Sequence, residues 1–181
     1  IAKSDNENHK RTLWIGSAGL AEGFFAEKYP NRPVLAIMGS VSESSMTQME
    51  YANKHHVPII EIDMAAILDG ADCKVWADEA IKMLQSGSDL ILTAARTKED
   101  YQKVLDYAKQ KNVSGVEVSA LTKETIGKLV STILAKVKVS GLFMTGGDTA
   151  ISIINHLGAQ GSRIDSEVLT GFVLSRLQGG G

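Results

Sequence analysis

The amino-acid sequence predicts an α/β domain with a mostly parallel sheet and helices on both of its faces. Three observations predict it. Short, nearly continuous apolar runs recur along the chain, the form a strand takes when both of its faces are covered. Between them the apolar spacing changes to a period of about 3.6 residues, the stripe of an amphipathic helix. Glycines and serines gather just after the runs, where open α/β sheets receive their ligands.

Residues 1–10 (IAKSDNENHK) are polar and aperiodic and read as a linker or lead-in, with residues 11–181 as the domain. The expected strands are Thr12–Ile15, Pro33–Met38, Pro58–Ile62, Asp89–Thr93 and Gly141–Thr145, with a weaker extended piece at Gly115–Val118. Helical stripes fall between them. Trp76, Ala80, Met83 and Leu84 make one, and Tyr101, Val104, Leu105 and Ala108 make another behind a Thr97-x-x-Asp100 cap. A longer stripe runs through Ile126, Leu129, Val130, Ile133, Leu134 and Val137, with Thr122 as the expected N-cap. Ala150, Ile153, Ile154 and Leu157 form the last, closed by Gly158. This alternation implies βαβ units and a Rossmann-like three-layer domain.

Composition narrows the function. The 181 residues are 44% hydrophobic and 22% charged, an ordinary globular balance. A net charge of −2 lacks the basic excess of a nucleic-acid binder. No apolar run reaches the roughly 18–20 residues of a membrane span, so no membrane partner is expected and a cytoplasmic location is. Cys73 is the single cysteine, compatible with a reducing compartment, and no Cys/His cluster has zinc spacing, so no metal-ligating side chains are assigned. A start at Ile1 and an end in Gly179-Gly180-Gly181 suggest a piece of a longer protein.

Three turns could carry chemistry. In the first, an apolar strand runs through Thr145-Gly146-Gly147-Asp148-Thr149 straight into a helix. Free N–H groups and the positive end of the helix dipole make such a start an anion site, and paired glycines let a phosphate approach the backbone. The competing reading is a tight turn in which Asp148 or Thr149 caps the helix. No lysine follows the glycines, so this is not a P-loop. The second turn is Met38-Gly39-Ser40-Val41-Ser42-Glu43-Ser44-Ser45, where Ser45 and Gln48 have the spacing of a capping box and would leave Ser40 and Ser42 for a ligand. The third, Gly16-Ser17-Ala18-Gly19-Leu20, lacks the spacing of a nucleophile elbow. His55, His56 and His156 read as structural or solvated, Asp63 and Asp89 as turn or cap residues, and Met46, Met49 and Ala52 as core.

In this order and spacing the turns resemble the nucleotide-binding C-terminal domain of the four-carbon acid sugar kinases, which phosphorylate threonate, erythronate or 3-oxo-tetronate. Gly16–Leu20 matches the family's G-S-A-G-L element, Gly39–Ser42 with Gln48 matches G-S-x-S-x-x-T-x-x-Q with Ser45 in place of Thr, and Thr145–Ala150 matches T-G-G-[DE]-T-A. Glu167-Val168 with Gly171 follows E-V-x-P-G, with Thr170 in place of the proline, and no K-x-G-G-F-G element follows. The resemblance implies ATP with Mg²⁺ as ligands. Phosphates would rest on Gly146, Gly147, Asp148 and Thr149, hydroxyls would come from Ser40 and Ser42, and Asp148 could orient the metal through water. The acid sugar would be held by an N-terminal domain outside this chain, and no catalytic base is assigned. A homo-oligomer is compatible with this reading. Serine-rich turns also suit a sugar-phosphate isomerase-type domain, and a non-catalytic nucleotide-sensing module would share the same cradle.

Overall fold

In a computed structural model the chain divides into two units, residues 1–32 and 33–181. The residues described are 32–169 and 172–179. The expected strand Thr12–Ile15, the Gly16–Leu20 turn, Thr170 and Gly171 lie outside them. The second unit runs β1 (Val34–Met38), α1 (Glu43–Lys54), β2 (Ile59–Glu61), α2 (Met64–Leu68), α3 (Lys74–Gln85), β3 (Leu90–Thr93), α4 (Lys98–Gln110), α5 (Gly115–Leu134), β4 (Gly141–Thr145), α6 (Gly147–His156), β5 (Gly161–Leu169) and β6 (Phe172–Gln178). The first four strands form a parallel sheet in the order β2-β3-β1-β4. β5 and β6 form a separate antiparallel ribbon.

Successive side chains of a strand point to opposite faces, and here that rule sorts the core into two. Leu35 and Ile37 of β1, Ile60 of β2, Leu90 and Leu92 of β3, and Leu142 and Met144 of β4 turn to one face, under α2, α3, α5 and α6. Ala36 and Met38, Ile59, Ile91 and Phe143 turn to the other, where Met46, Met49 and Ala52 of α1 cover them. This is the three-layer arrangement the apolar runs predict. Polar ties hold the sheet at the end where β1, β3 and β4 begin. The Val34 N–H donates to Asp89 Oδ1 at 2.7 Å, and the Ser140 N–H donates to Pro33 O at 2.9 Å.

Several local expectations hold in detail. Thr97 Oγ1 accepts from the Asp100 N–H at the start of α4, Asp63 caps α2, and Gly158 follows α6 at φ +67°. Others are corrected. Gly115–Val118 is not extended; it is the first turn of α5. Ser114 and Glu117 close a reciprocal capping box there, which satisfies N–H groups that an extended segment would leave to other partners. Val116 and Val118 mimic strand alternation, yet Val118 is buried and Val116 is 81% exposed, as one turn of helix requires. Thr122 is therefore interior to α5, donating to Val118 O at 2.8 Å, and not an N-cap. Ser42, not Ser45, caps α1. Its Oγ accepts the Ser45 N–H at 3.2 Å, and Ser45 is buried inside the helix. The β5–β6 ribbon has no counterpart in the periodicity, because irregularities between Ile164 and Ser166 and between Glu167 and Leu169 interrupt its alternation.

α6 lies against α5 across Gly127. A Cβ at that position would overlap His156 Nδ1 and come 2.8 Å from Ser152 Oγ. Ser152 Oγ donates to Lys123 O at 2.8 Å, which ties the two helices. His156 Nδ1 lies 2.8 Å from Ser152 O and Nε2 lies 3.0 Å from Glu124 Oε1. Both partners are acceptors, so the doubly protonated imidazolium satisfies both contacts. The Ser152 carbonyl first, and then Glu124, raise the His156 pKa above its usual value, against partial desolvation.

Two outcomes follow from this seam. Gly127→Ala gains about 1 kcal/mol of helix propensity but overpacks the contact by about 2–3 kcal/mol, so it should destabilise the domain. The melting temperature should fall by roughly 2–8 °C in a calorimetric scan. The His156 contribution has a definite pH window. Its folded pKa lies above the unfolded value of about 6.5, so the stabilisation is complete below that value and is lost as pH rises through the raised folded pKa. Chemical denaturation across pH should show the wild type losing stability relative to His156→Gln in that window.

Candidate functional site

A cavity of about 360 Å³ opens at the carboxyl ends of β1, β3 and β4. Its position follows from the topology. The connection from β1 passes β3 to reach β2, whereas that from β3 passes β1 to reach β4. Neighbouring strands β1 and β3 thus send their chains in opposite directions, which opens the crevice where α/β sheets bind ligands. The wall is built from Met38–Val41 after β1, Thr93–Ala95 after β3, and Gly146, Asp148 and Thr149 after β4, with Tyr101 of α4 and a row from α5 closing the side.

Two glycines bring the β1 and β4 turns together. The Gly39 N–H donates to Thr145 O at 3.2 Å. A Cβ on Gly39 would overlap Thr149 Oγ1 and lie 2.7 Å from Thr145 O. Gly146 has φ +85°, and a Cβ there would press within 3.3 Å of the Gly39 backbone. Gly147 differs: nothing lies within 4 Å of a Cβ placed on it. On the third side the fully buried Thr93 joins the β1 and β3 turns. Its Oγ1 lies 3.1 Å from Met38 O and 2.8 Å from Ala95 O.

The structure sets the sequence candidates around this cavity unevenly. Ser40, Gly146, Asp148 and Thr149 line it, and Gly147 stands beside them as the first residue of α6. Ser42 is not on the wall. Its Oγ caps α1 and also lies 3.0 Å from Ser45 Oγ, while its N–H donates to Ser40 Oγ at 3.2 Å. The capping reading of Asp148 and Thr149 is also corrected. Gly146 is the N-cap of α6, no side chain caps the helix, and the first intrahelical bond is the Ala150 N–H to Gly146 O at 3.0 Å. The N–H groups of Gly147, Asp148 and Thr149 therefore have no intrahelical partner and stand at the positive end of the dipole, beside the cavity.

Sequence reasoning missed Lys123. Its Nζ lies 3.1 Å from Asp148 Oδ2, across the lip formed by α5 and α6. The signal was present: Lys123 stands three residues before Ile126 and seven before Val130, a cation on the buried stripe of its helix. Arg96 is engaged elsewhere, donating through Nη2 to Ile59 O at 2.8 Å and pairing with Glu61 at 3.2 Å. Asp148 is the only carboxylate on the cavity wall among the described residues. Mg²⁺ prefers one or two carboxylates, with phosphate and water supplying its other oxygens, and this donor set fits that demand.

Residues 35–180 match the family model of the nucleotide-binding C-terminal domain. D-threonate kinase of Salmonella typhimurium LT2 is 30% identical over 176 residues, which span 93% of this chain and 42% of that enzyme. A domain of unknown function from Bordetella bronchiseptica, crystallised with citrate as a domain-swapped dimer, shares the fold at a TM-score of 0.69. It is 21% identical, over 91% of this chain and 38% of that one. A second solved structure, from Salmonella typhimurium LT2, matches at a TM-score of 0.63 and 18% identity over 90% of this chain and 40% of that one. The chain thus spans about two-fifths of the length of each of these relatives. With the motifs, the parallel sheet and the family match in agreement, the chain belongs to the nucleotide-binding C-terminal domain family.

Proposed function

We propose that this chain is the ATP-holding domain of a cytoplasmic kinase for a four-carbon acid sugar of the threonate, erythronate or 3-oxo-tetronate class. The observation that carries the reading is the start of α6, which has no side-chain cap and opens on a cavity at the switch point of the sheet. The polyphosphate lies across the Gly147, Asp148 and Thr149 N–H groups, and the Ser40 hydroxyl reaches it from the β1 turn. Ser42 acts at one remove, by fixing that turn and starting α1. Mg²⁺, when bound, neutralises charge on the phosphate oxygens, and Asp148 orients it. Phosphoryl transfer needs alignment and charge neutralisation more than covalent help from the protein, which suits a cradle of backbone donors. The acid sugar and the base that takes its hydroxyl proton belong to a preceding domain, and a homo-oligomer is compatible with this arrangement.

ATP with Mg²⁺ at about 100 times its dissociation constant should stabilise the domain by roughly 2.7 kcal/mol, or about 5–10 °C in melting temperature. Gly147→Val supplies the site-specific test, because its side chain enters open space without the strain that Gly146 would suffer. The variant should keep the unliganded melting temperature and lose most of the ATP-induced shift. A wild type that responds to a hexose phosphate and not to ATP would favour the isomerase-type reading. ADP release with threonate, erythronate or 3-oxo-tetronate should be absent for this chain and appear with the full reading frame, since the acceptor must be held in line. Turnover by this chain at the full-length rate would overturn the two-domain assignment.

A further inference from the structure

We propose that Lys123 is a polyphosphate-binding residue held ready by Asp148, and that the pair makes the site select nucleotides by the charge of their phosphate tail. The proposal rests on the ATP reading above and assigns it a residue outside the glycine and serine turns. Among the described residues that line the cavity, Lys123 is the only cation and Asp148 the only anion. Their charged atoms are 3.1 Å apart at the lip, with Lys123 32% exposed and Asp148 80% exposed. An ion pair so open to water contributes little to folding. The backbone that carries Lys123 is nevertheless fixed from behind. The Ser152 hydroxyl holds the Lys123 carbonyl, and Gly127, one turn further along α5, admits His156 of α6. The seam between the helices thus sets where the Lys123 backbone stands, and Asp148 sets where its ammonium stands, relative to the α6 N-terminus.

The electrostatics require such a residue. Backbone N–H groups offer only partial positive charge, whereas a nucleoside triphosphate brings several full negative charges past a carboxylate. With the site empty, the ammonium neutralises Asp148 and removes the repulsion. When a triphosphate enters, a terminal phosphate oxygen is the stronger partner for the ammonium, in a charge-assisted hydrogen bond. Asp148 is then released to the Mg²⁺ side. Selection follows from reach: the more phosphates a nucleotide carries, the more of its charge lies at the lip.

Isothermal titration with ATP, ADP and AMP, with and without Mg²⁺, reads this directly on Lys123→Met, Asp148→Asn and the double variant. Lys123→Met keeps the aliphatic stem and should weaken ATP by about ten- to a hundredfold, ADP less, and AMP hardly at all. Asp148→Asn removes the competitor, so metal-free ATP should bind more tightly while the benefit of Mg²⁺ shrinks. The double variant should lose the metal-free gain. Unliganded melting temperatures of all three should stay near the wild type. If the wild type binds ATP and Lys123→Met binds all three nucleotides as the wild type does, or weakens them equally, the role of Lys123 is overturned while the ATP reading stands. If the wild type binds no nucleotide, both fall together.

Discussion

The site depends on one close approach, that of the β1 turn to the β4 turn at Gly39 and Gly146. A single Cβ on Gly39 would overlap Thr149, and a side chain on Gly146 would meet the Gly39 backbone while holding an unfavourable positive φ. Because neither atom is present, α6 starts next to the β1 turn, with its uncapped first turn beside the cavity. The same helix is seated near its far end by a third glycine, Gly127 of α5, which admits His156. α6 is therefore admitted at both ends by glycines and held at its far end by its own Ser152 and His156. Its direction, and that of its dipole, follow from how Thr149, Ser152 and His156 pack against Gly39 and Gly127.

Four of the strands were legible because parallel, doubly covered strands leave contiguous apolar runs with turn residues after them. Gly141–Thr145 is observed with the bounds the sequence suggests, and the others differ only at their ends. The failures have local causes. At Gly115–Val118 the valine alternation spoke for a strand, while Ser114 and Glu117 supplied a stronger, reciprocal reason for a helix. At Ser42 and Ser45 two serines with similar capping potential stood three residues apart, and the choice between them depended on where β1 ended. The β5–β6 ribbon was illegible because its irregular register removes the period that would announce it.

The candidate site was legible in its backbone and not in its charges. Glycines before a helix advertise an anion cradle through local sequence alone, so Gly146 to Thr149 and Ser40 could be picked out. The pairing of Lys123 with Asp148 joins residues 25 positions apart, and only the packing of α5 on α6 makes it. A lysine within an apolar stripe is ambiguous by itself, since its stem can cover apolar surface while its head reaches water. Here the head reaches a carboxylate at the mouth of a crevice. The family match gives the reason to look for a nucleotide in this domain, and the geometry places one positive charge, that of Lys123, at the mouth of the crevice of a chain without a P-loop lysine.

Thr93 has a further consequence for how the walls of this site are joined. Its hydroxyl has one proton and two carbonyl oxygens within reach, Met38 O in the β1 turn and Ala95 O in the β3 turn. A rotation about one side-chain bond turns the donor from one carbonyl to the other, so the buried proton has an acceptor in either orientation. Most buried polar contacts resist motion because breaking them leaves a group unsatisfied. This one has a second acceptor in reserve, so the hydroxyl proton at the floor of the crevice is satisfied by either carbonyl, while the other end of the sheet is tied at Asp89 and Ser140.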